Sequence, residues 1–128
     1  MDDLYREIIL EHYKNPSYKG ELVPSDLSFE DENPLCGDQL RIDLRVDKNG
    51  NVTDARFSGH GCAISQASAD LVVESIIGKN VEDLKKMTKD DVLDLLGIEE
   101  LGPVRLKCAL LSLKVLKGGL YGVGDIQV

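Results

Sequence analysis

The strongest constraint on the fold is an alternating pattern on either side of an Asn-Gly turn. From Leu40 to Val46, apolar residues alternate with charged ones, which is typical of a strand with one buried and one solvated face. Asn49-Gly50 lies in the turn that follows, and this dipeptide readily adopts the positive φ angles of a tight turn. A second strand follows from Val52 to about Ser58. The region therefore predicts an antiparallel hairpin.

Outside the hairpin, apolar residues recur at helical spacing, and capping or helix-breaking residues stand at the ends of each periodic segment. A polar connection over residues 15–35 contains a short predicted strand at Leu27–Phe29. This order of elements predicts an α+β fold in which a small antiparallel β-sheet of about three strands packs against several α-helices in two layers. The predicted helices span residues 2–14, 64–77, 103–117 and two short segments that begin at the N-caps Asn80 and Thr88.

Length and composition predict one domain. A chain of 128 residues with 42% hydrophobic content buries enough surface for one core without disulfide bonds. We expect residues 1–117 to form this domain. The end of the chain is rich in glycine, so residues 118–128 are predicted to be a flexible C-terminal tail.

The charge balance excludes two classes of partner. Lys and Arg number 15 against 23 Asp and Glu, which gives a net charge of −8. Such a chain repels phosphate backbones and anionic membrane surfaces, so we expect neither nucleic acid nor membrane as a partner. No apolar run approaches the ~20 residues of a membrane span. The first residues resemble no targeting peptide, so a cytoplasmic protein is expected.

Two of the three cysteines stand at opposite ends of the hairpin. Cys36 precedes its first strand, and Cys62 follows its second strand in a glycine-flanked turn before a helix. An antiparallel hairpin brings those ends together, so the topology alone places the two thiols close to each other. Asp38 lies two residues after Cys36 and can reach the same point.

Cys108 lies on the apolar stripe of the last predicted helix and could supply a third thiol. Three thiols and one carboxylate can complete a tetrahedral site, and thiolates favour zinc or iron–sulfur clusters over calcium or magnesium. The alternative is structural, because a free cysteine is often a small buried hydrophobe and a turn aspartate is common. A zinc site that only stabilises the fold is a further alternative.

Three segments resemble the signature segments of the IscU/SufU/NifU-N family of iron–sulfur cluster scaffold proteins. The segments surround the three cysteines, and the first helix, with His12-Tyr13-Lys14-Asn15-Pro16 at its end, is similar as well. The resemblance covers about residues 1–117. The segments are Pro34-Leu35-Cys36-Gly37-Asp38, Gly59-His60-Gly61-Cys62-Ala63-Ile64-Ser65-Gln66-Ala67-Ser68 and Pro103-Val104-Arg105-Leu106-Lys107-Cys108-Ala109.

The resemblance implies a scaffold that assembles a transient [2Fe-2S] cluster. Such a protein accepts sulfur from a cysteine desulfurase and iron from an iron donor, and it passes the cluster to apo iron–sulfur proteins. By position, Cys36, Cys62 and Cys108 would be the cluster ligands, with Asp38 beside them. Zinc can occupy the same site in many members of the family.

Departures from the family pattern leave a second function open. IscU proteins usually carry His before the third cysteine, whereas this chain has Lys107, as the SufU branch does. The 45 residues between Cys62 and Cys108, however, match the shorter IscU spacing. The resemblance therefore also allows a zinc-dependent, SufU-like sulfurtransferase that activates its desulfurase. In that enzyme-like alternative, Cys36, Cys62 or Cys108 would accept persulfide sulfur.

Three further features near the signature segments bear on partners and on the site. Leu101-Gly102-Pro103-Val104-Arg105 differs from the Leu-Pro-Pro-Val-Lys segment that IscU proteins offer to a dedicated Hsp70, which argues against such a chaperone partner. His60 is a candidate accessory ligand or proton acceptor, although a polar residue at a strand end is the simpler interpretation. Lys107 is a solvated charge or an electrostatic partner of the Cys108 thiolate.

Overall fold

The computed structural model describes residues 3–33, 37–97 and 103–124. These residues form six helices, one more than the sequence predicts, and three strands. None of the described helices is long and apolar enough to cross a membrane. In chain order the elements are α1 Asp3–Lys14, β1 Leu27–Asn33, β2 Asp38–Val46, β3 Val52–His60, α2 Ala63–Ile76, α3 Val81–Leu84, α4 Lys89–Leu96, α5 Pro103–Ala109 and α6 Leu111–Gly124.

The three strands form one antiparallel sheet in the order β1-β2-β3. Within the predicted hairpin, Ile42 lies opposite Phe57, and both side chains are buried on the same face. Gly50 adopts a φ of 84° in the turn between β2 and β3, where a glycine is favoured because a side chain is rarely accommodated at positive φ. The hairpin prediction is therefore confirmed.

The core lies between this sheet and the helices. Leu40, Ile42 and Leu44 on β2 have no exposed surface, as the alternation predicts. Helix α2 packs against β3 and against α1, α4, α5 and α6, while α6 also covers β1 and β2. The predicted α+β, two-layer fold is confirmed, with α2 at its centre.

A buried carboxylate joins α1 to α2. Asp70 of α2 has no exposed surface, and its Oδ2 lies 2.6 Å from Nδ1 of His12 near the end of α1. Its Oδ1 accepts a hydrogen bond of 2.9 Å from the backbone N–H of Tyr18 in the following connection. Helix α1 and the start of the long connection are thus both bound to the central helix.

The capping predictions for the short helices are confirmed. Asn80 accepts a hydrogen bond from the N–H of Glu82 at the start of α3. Thr88 and Asp91 form a reciprocal capping box at the start of α4. These local signals are reliable because both partners lie within one turn of the same helix.

The C-terminal region differs from the prediction in two ways. The expected single helix is interrupted at Leu110, so α5 and α6 are separate elements. The helix then continues to Gly124, although we expected it to end near Lys117 and a flexible tail to follow. The extension is stabilised by packing, since Leu120 is buried and Gly119 lies against the ring of Phe29. Residues 125–128 lie outside the described part of the chain.

Candidate metal centre

Three side chains from three elements converge at one end of the sheet. Asp38 begins β2, Cys62 is the N-cap of α2, and Cys108 lies near the end of α5. One potential ligand atom from each, a carboxylate oxygen and two Sγ atoms, lies within 4.8 Å of the other two. The structure therefore brings together three of the four predicted site residues.

The alternation of β2 directs Asp38 into this cluster. Asp38 shares the buried face of the strand with Leu40 and is only 3% exposed. Its Oδ1 accepts a hydrogen bond of 3.1 Å from the backbone N–H of Cys62. The carboxylate thus takes one of the N–H groups that a helix N-terminus leaves without an intrahelical partner.

Gly61 provides the space for this approach. A Cβ at this position would lie 2.6 Å from Oγ of Ser65 and 2.7 Å from Cγ of Asp38, which is too close for any side chain. A side chain at residue 61 would require Ser65 or Asp38 to move, so the glycine leaves room for the carboxylate beside the amide of Cys62. This role was not assigned from the sequence, although the glycine beside the cysteine was a visible signal.

The two thiols differ in access to solvent. Cys62 is exposed, whereas Cys108 is only 5% exposed. The Cys62 thiol lies 3.8 Å from Oγ of Ser65, and that hydroxyl donates to the Cys62 carbonyl at 3.1 Å. An incoming reactant can therefore reach Cys62 first, while Cys108 is held against the core.

Among the described residues, His60 and Lys107 are not part of the group formed by Asp38, Cys62 and Cys108. Cys36 lies outside the described residues, although Gly37, which links it to Asp38, adopts a φ of 72°. The strand register pairs His60 with Gln39, which points to the opposite face of β2 from Asp38. Lys107 is exposed beside Cys108 in α5 and offers no ligand atom when protonated.

The donor set fits a thiophilic metal. Two ligand atoms that share one tetrahedral zinc ion lie about 3.8 Å apart, given Zn–S bonds of about 2.3 Å. The separation of at most 4.8 Å in the cluster requires only a small closing movement to reach this value. Two thiols with one carboxylate suit zinc or cluster iron better than a hard cation such as calcium.

Comparison with known proteins shows the family to which the chain belongs. Residues 4–125 match the family model described as the NifU-like N-terminal domain. The chain is 41% identical to the zinc-dependent sulfurtransferase SufU of Bacillus subtilis, over 94% of this chain and 91% of that protein. It is 36% identical to the iron–sulfur cluster assembly scaffold protein IscU of Thermotoga maritima, over 91% of this chain and 92% of that protein.

Solved structures share the fold. The FiSufU protein of Fervidobacterium islandicum AW-1 is 28% identical and superposes with a TM-score of 0.75, covering 89% of this chain and 94% of that one. A NifU-like N-terminal domain from Brucella abortus, 22% identical, has the same fold with a TM-score of 0.75 over 98% of each chain. From its sequence, its fold and the site at the end of its sheet, the chain belongs to the NifU-like N-terminal domain family.

Proposed function

We propose that this protein is a scaffold on which [2Fe-2S] clusters are assembled and from which they are transferred to apo-proteins. The observation that carries the proposal is the convergence of Asp38, Cys62 and Cys108 within 4.8 Å in a chain similar to IscU scaffold proteins. Sulfur would come from a cysteine desulfurase and iron from an iron donor. The cluster is cargo, so the protein acts as a binding and transfer protein and not as an enzyme.

Each side chain takes a distinct role in this proposal. Exposed Cys62 receives sulfur, because a desulfurase persulfide can reach it without local unfolding. Buried Cys108 is a fixed ligand on a helix that packs against α2. Cys36, which lies outside the described residues, is proposed as the remaining thiolate ligand.

Asp38 makes the cargo releasable. Carboxylate oxygen is a harder donor than thiolate and a poorer match for cluster iron, so a recipient's thiol can compete at that position. Its hydrogen bond to the amide of Cys62 keeps the carboxylate beside the exposed thiol. The weakly binding carboxylate of Asp38 and the exposed thiol of Cys62 therefore lie beside each other in the site.

The second candidate is a zinc-dependent sulfurtransferase, which the 41% identity to SufU supports. The Cys62 thiolate would attack the terminal sulfur of the desulfurase persulfide. A new S–S bond then forms at Cys62, the bond to the donor cysteine breaks, and that cysteine leaves as a thiolate. Zinc, when bound, would hold the other ligands and balance their negative charge. Sulfur passes without any net oxidation or reduction.

Both candidates require free thiols, which suits a reducing compartment, so we place the protein in the cytoplasm. The partners shared by both are a cysteine desulfurase and the proteins that receive sulfur or clusters. An Hsp70 chaperone is not part of the proposal, since residues 101–105 differ from the segment that such a chaperone recognises.

An anaerobic reconstitution distinguishes the two functions. The protein is mixed with a cysteine desulfurase, cysteine and ferrous iron. Visible absorption is followed in a sample that contains a thiol reductant, and the mass of sulfur adducts is measured in a parallel sample without it, because a thiol reductant cleaves persulfides. The scaffold proposal expects [2Fe-2S] absorption that Cys62→Ser and Cys108→Ser abolish. Asp38→Ala should still assemble a cluster, transfer it more slowly and retain it longer in air.

Asp90→Ala, which changes an exposed carboxylate of α4, is the matched control and should behave as wild type. A persulfide on Cys62 of the zinc-loaded protein, with no cluster absorption, would reject the scaffold and support the sulfurtransferase. If neither a cluster nor a persulfide forms, both functions are rejected.

A further inference from the structure

Two fully buried hydroxyl groups join the central helix to the interruption between α5 and α6. Ser68 of α2 and Ser112 of α6 both have no exposed surface. Oγ of Ser68 donates a hydrogen bond of 2.6 Å to the carbonyl oxygen of Ala109. The same Oγ lies 3.4 Å from Oγ of Ser112. We call the Ser68 hydroxyl, the Ala109 carbonyl and the Ser112 hydroxyl together the hydroxyl clamp.

The clamp lies where the C-terminal helix is interrupted. Helix α5 ends at Ala109, Leu110 forms a turn, and α6 begins at Leu111. The backbone hydrogen bonds from Leu110 to Leu106 and from Lys114 to Leu110 continue the helical pattern on either side. The hydroxyl of Ser68 binds the last carbonyl of α5, so the hydrogen bond lies directly at this interruption.

The hydroxyl clamp is next to one thiol in the chain and shares a helix with the other. Cys108 is the residue directly before Ala109, and Cys62 is the N-cap of the helix that carries Ser68. The hydrogen bond therefore connects the two elements that bear the two sulfur ligands. A shift of α5 against α2 would have to break this bond and leave a buried carbonyl without its hydroxyl partner, which opposes such a shift.

We propose that the hydroxyl clamp sets the separation of Cys62 and Cys108, with Ser68 as the positioning residue and Ser112 as its support. This inference rests on the proposed function in one respect, namely that the two thiols act at one site. Groups that hold ligands in place, without binding the metal themselves, typically change metal affinity by about 10- to 100-fold when removed. Ser68 acts in this way through the backbone of α5.

Packing alone gives no reason for a hydroxyl at this depth. A buried hydroxyl has to be desolvated, and an alanine in the same helix would fill most of the same volume without that cost. The flanking residues Ala67 and Ala69 are equally buried and apolar. What the hydroxyl adds is a directional bond to one particular carbonyl, and that carbonyl belongs to the residue after Cys108.

The separation of the thiols can be tested without metal, iron or desulfurase. In a Cys36→Ala background, only Cys62 and Cys108 carry thiols. A short bifunctional thiol reagent is applied to the metal-free protein. Mass spectrometry then compares the amounts of two products. In one product a single reagent molecule joins Cys62 to Cys108, and in the other each thiol carries its own reagent molecule, bound at one end. Ser68→Ala should lower the cross-linked fraction severalfold, and Ser112→Ala should lower it in the same direction by less.

Ser75→Ala is the matched control. Ser75 lies on the same helix, and its hydroxyl also donates to a carbonyl, that of Val72 at 2.8 Å, but this bond stays within α2. The cross-linked fraction of the Ser75→Ala variant should equal that of the Cys36→Ala protein. Thermal unfolding of all variants separates a loss of thiol positioning from a general loss of stability.

Metal binding by the otherwise wild-type protein gives a second measurement. Ser68→Ala should weaken zinc binding by about 10-fold or more and alter the thiolate-to-metal absorption of the cobalt-substituted protein. Ser75→Ala should change neither. The inference is overturned if Ser68→Ala and Ser112→Ala leave the cross-linking and the cobalt spectrum unchanged. If Ser68→Ala does not fold, Ser112→Ala alone decides. If cross-linking depends on Ser68, the inference holds even when neither a cluster nor a persulfide forms. Its failure and the failure of the proposed function can therefore be distinguished.

Discussion

Two buried aspartates on β2 show how the position of a residue decides its role. Asp38 and Asp43 are 3% and 1% exposed, but they lie on opposite faces of the strand. Asp38 faces the thiols, where a carboxylate can serve as a ligand. Asp43 faces the connection after α1 and accepts hydrogen bonds from Ser28, Arg41 and the amide of Leu22. The first residue belongs to the site, and the second stabilises the fold.

We predict that Asp43 makes the protein sensitive to acid. Burial raises the pKa of the Asp43 carboxyl, but the hydrogen bonds from Ser28, Arg41 and Leu22 outweigh this effect and hold the pKa below its ordinary value. A lowered pKa in the folded state stabilises the protein above the unfolded pKa of about 3.9, and this stability is lost as the pH falls through the folded pKa.

Asp43→Asn should therefore lower the free energy of unfolding at pH 7 by about 2 kcal/mol and flatten its fall in acid. Urea unfolding followed by circular dichroism, from neutral pH to about pH 3, measures both effects. Asp90→Asn, at an exposed position, is the control. Parallel pH profiles for the wild type and Asp43→Asn would show that Asp43 does not contribute in this way.

At the scale of elements, the contact between α6 and β1 depends on one glycine. The ring of Phe29 lies so close to Gly119 that an added Cβ would approach ring atoms to between 2.0 and 2.5 Å. The neighbouring Gly118 has no atom within 4 Å of the same test position. Gly119 is therefore in close contact with another element, whereas the space beside Gly118 is open.

Gly119→Ala should destabilise the protein by about 2 kcal/mol, because either Phe29 or α6 must move. Gly118→Ala is the matched control and should stabilise it by about 0.5–1 kcal/mol, since alanine favours a helix over glycine. Chemical denaturation of the two variants gives both values. Equal effects of the two substitutions would mean that the ring of Phe29 moves easily and that its close contact with Gly119 does not affect stability.

At the scale of the whole molecule, the site connects parts of the chain that are distant in sequence. The side chains that could bind a metal come from the start of β2, the start of α2 and the end of α5, and these elements all pack on the common core. A metal bound by all three would have to be released before any of them could separate. Metal binding and global stability should therefore be linked.

We predict that zinc raises the melting temperature of the protein. A ligand at 100 times its dissociation constant adds about 2.7 kcal/mol to the free energy of unfolding. Asp38→Ala removes one ligand and should reduce this gain, whereas Asp90→Ala should leave it intact. Thermal unfolding with zinc, and again after addition of a chelator, measures the effect. A melting temperature that does not respond to zinc would argue against a shared site.

Elements whose signals are local can be predicted from the amino-acid sequence. The alternation from Leu40 to Val46 predicts which face of β2 is buried, and the caps Asn80 and Thr88 mark where α3 and α4 begin. Hairpin topology also predicts that Asp38 and Cys62 meet. In each case the partners lie within one helical turn or one pair of adjacent strands, so spacing along the chain is sufficient.

Contacts between distant segments could not be predicted from the sequence and are visible only in the folded structure. No spacing rule places Ser68 against Ala109, His12 against Asp70 or Phe29 against Gly119. The strand register likewise directs His60 away from the cluster, although it is close to Cys62 in sequence. Such contacts depend on the packing of complete elements, and packing reflects the shapes of surfaces that form only when the whole chain has folded.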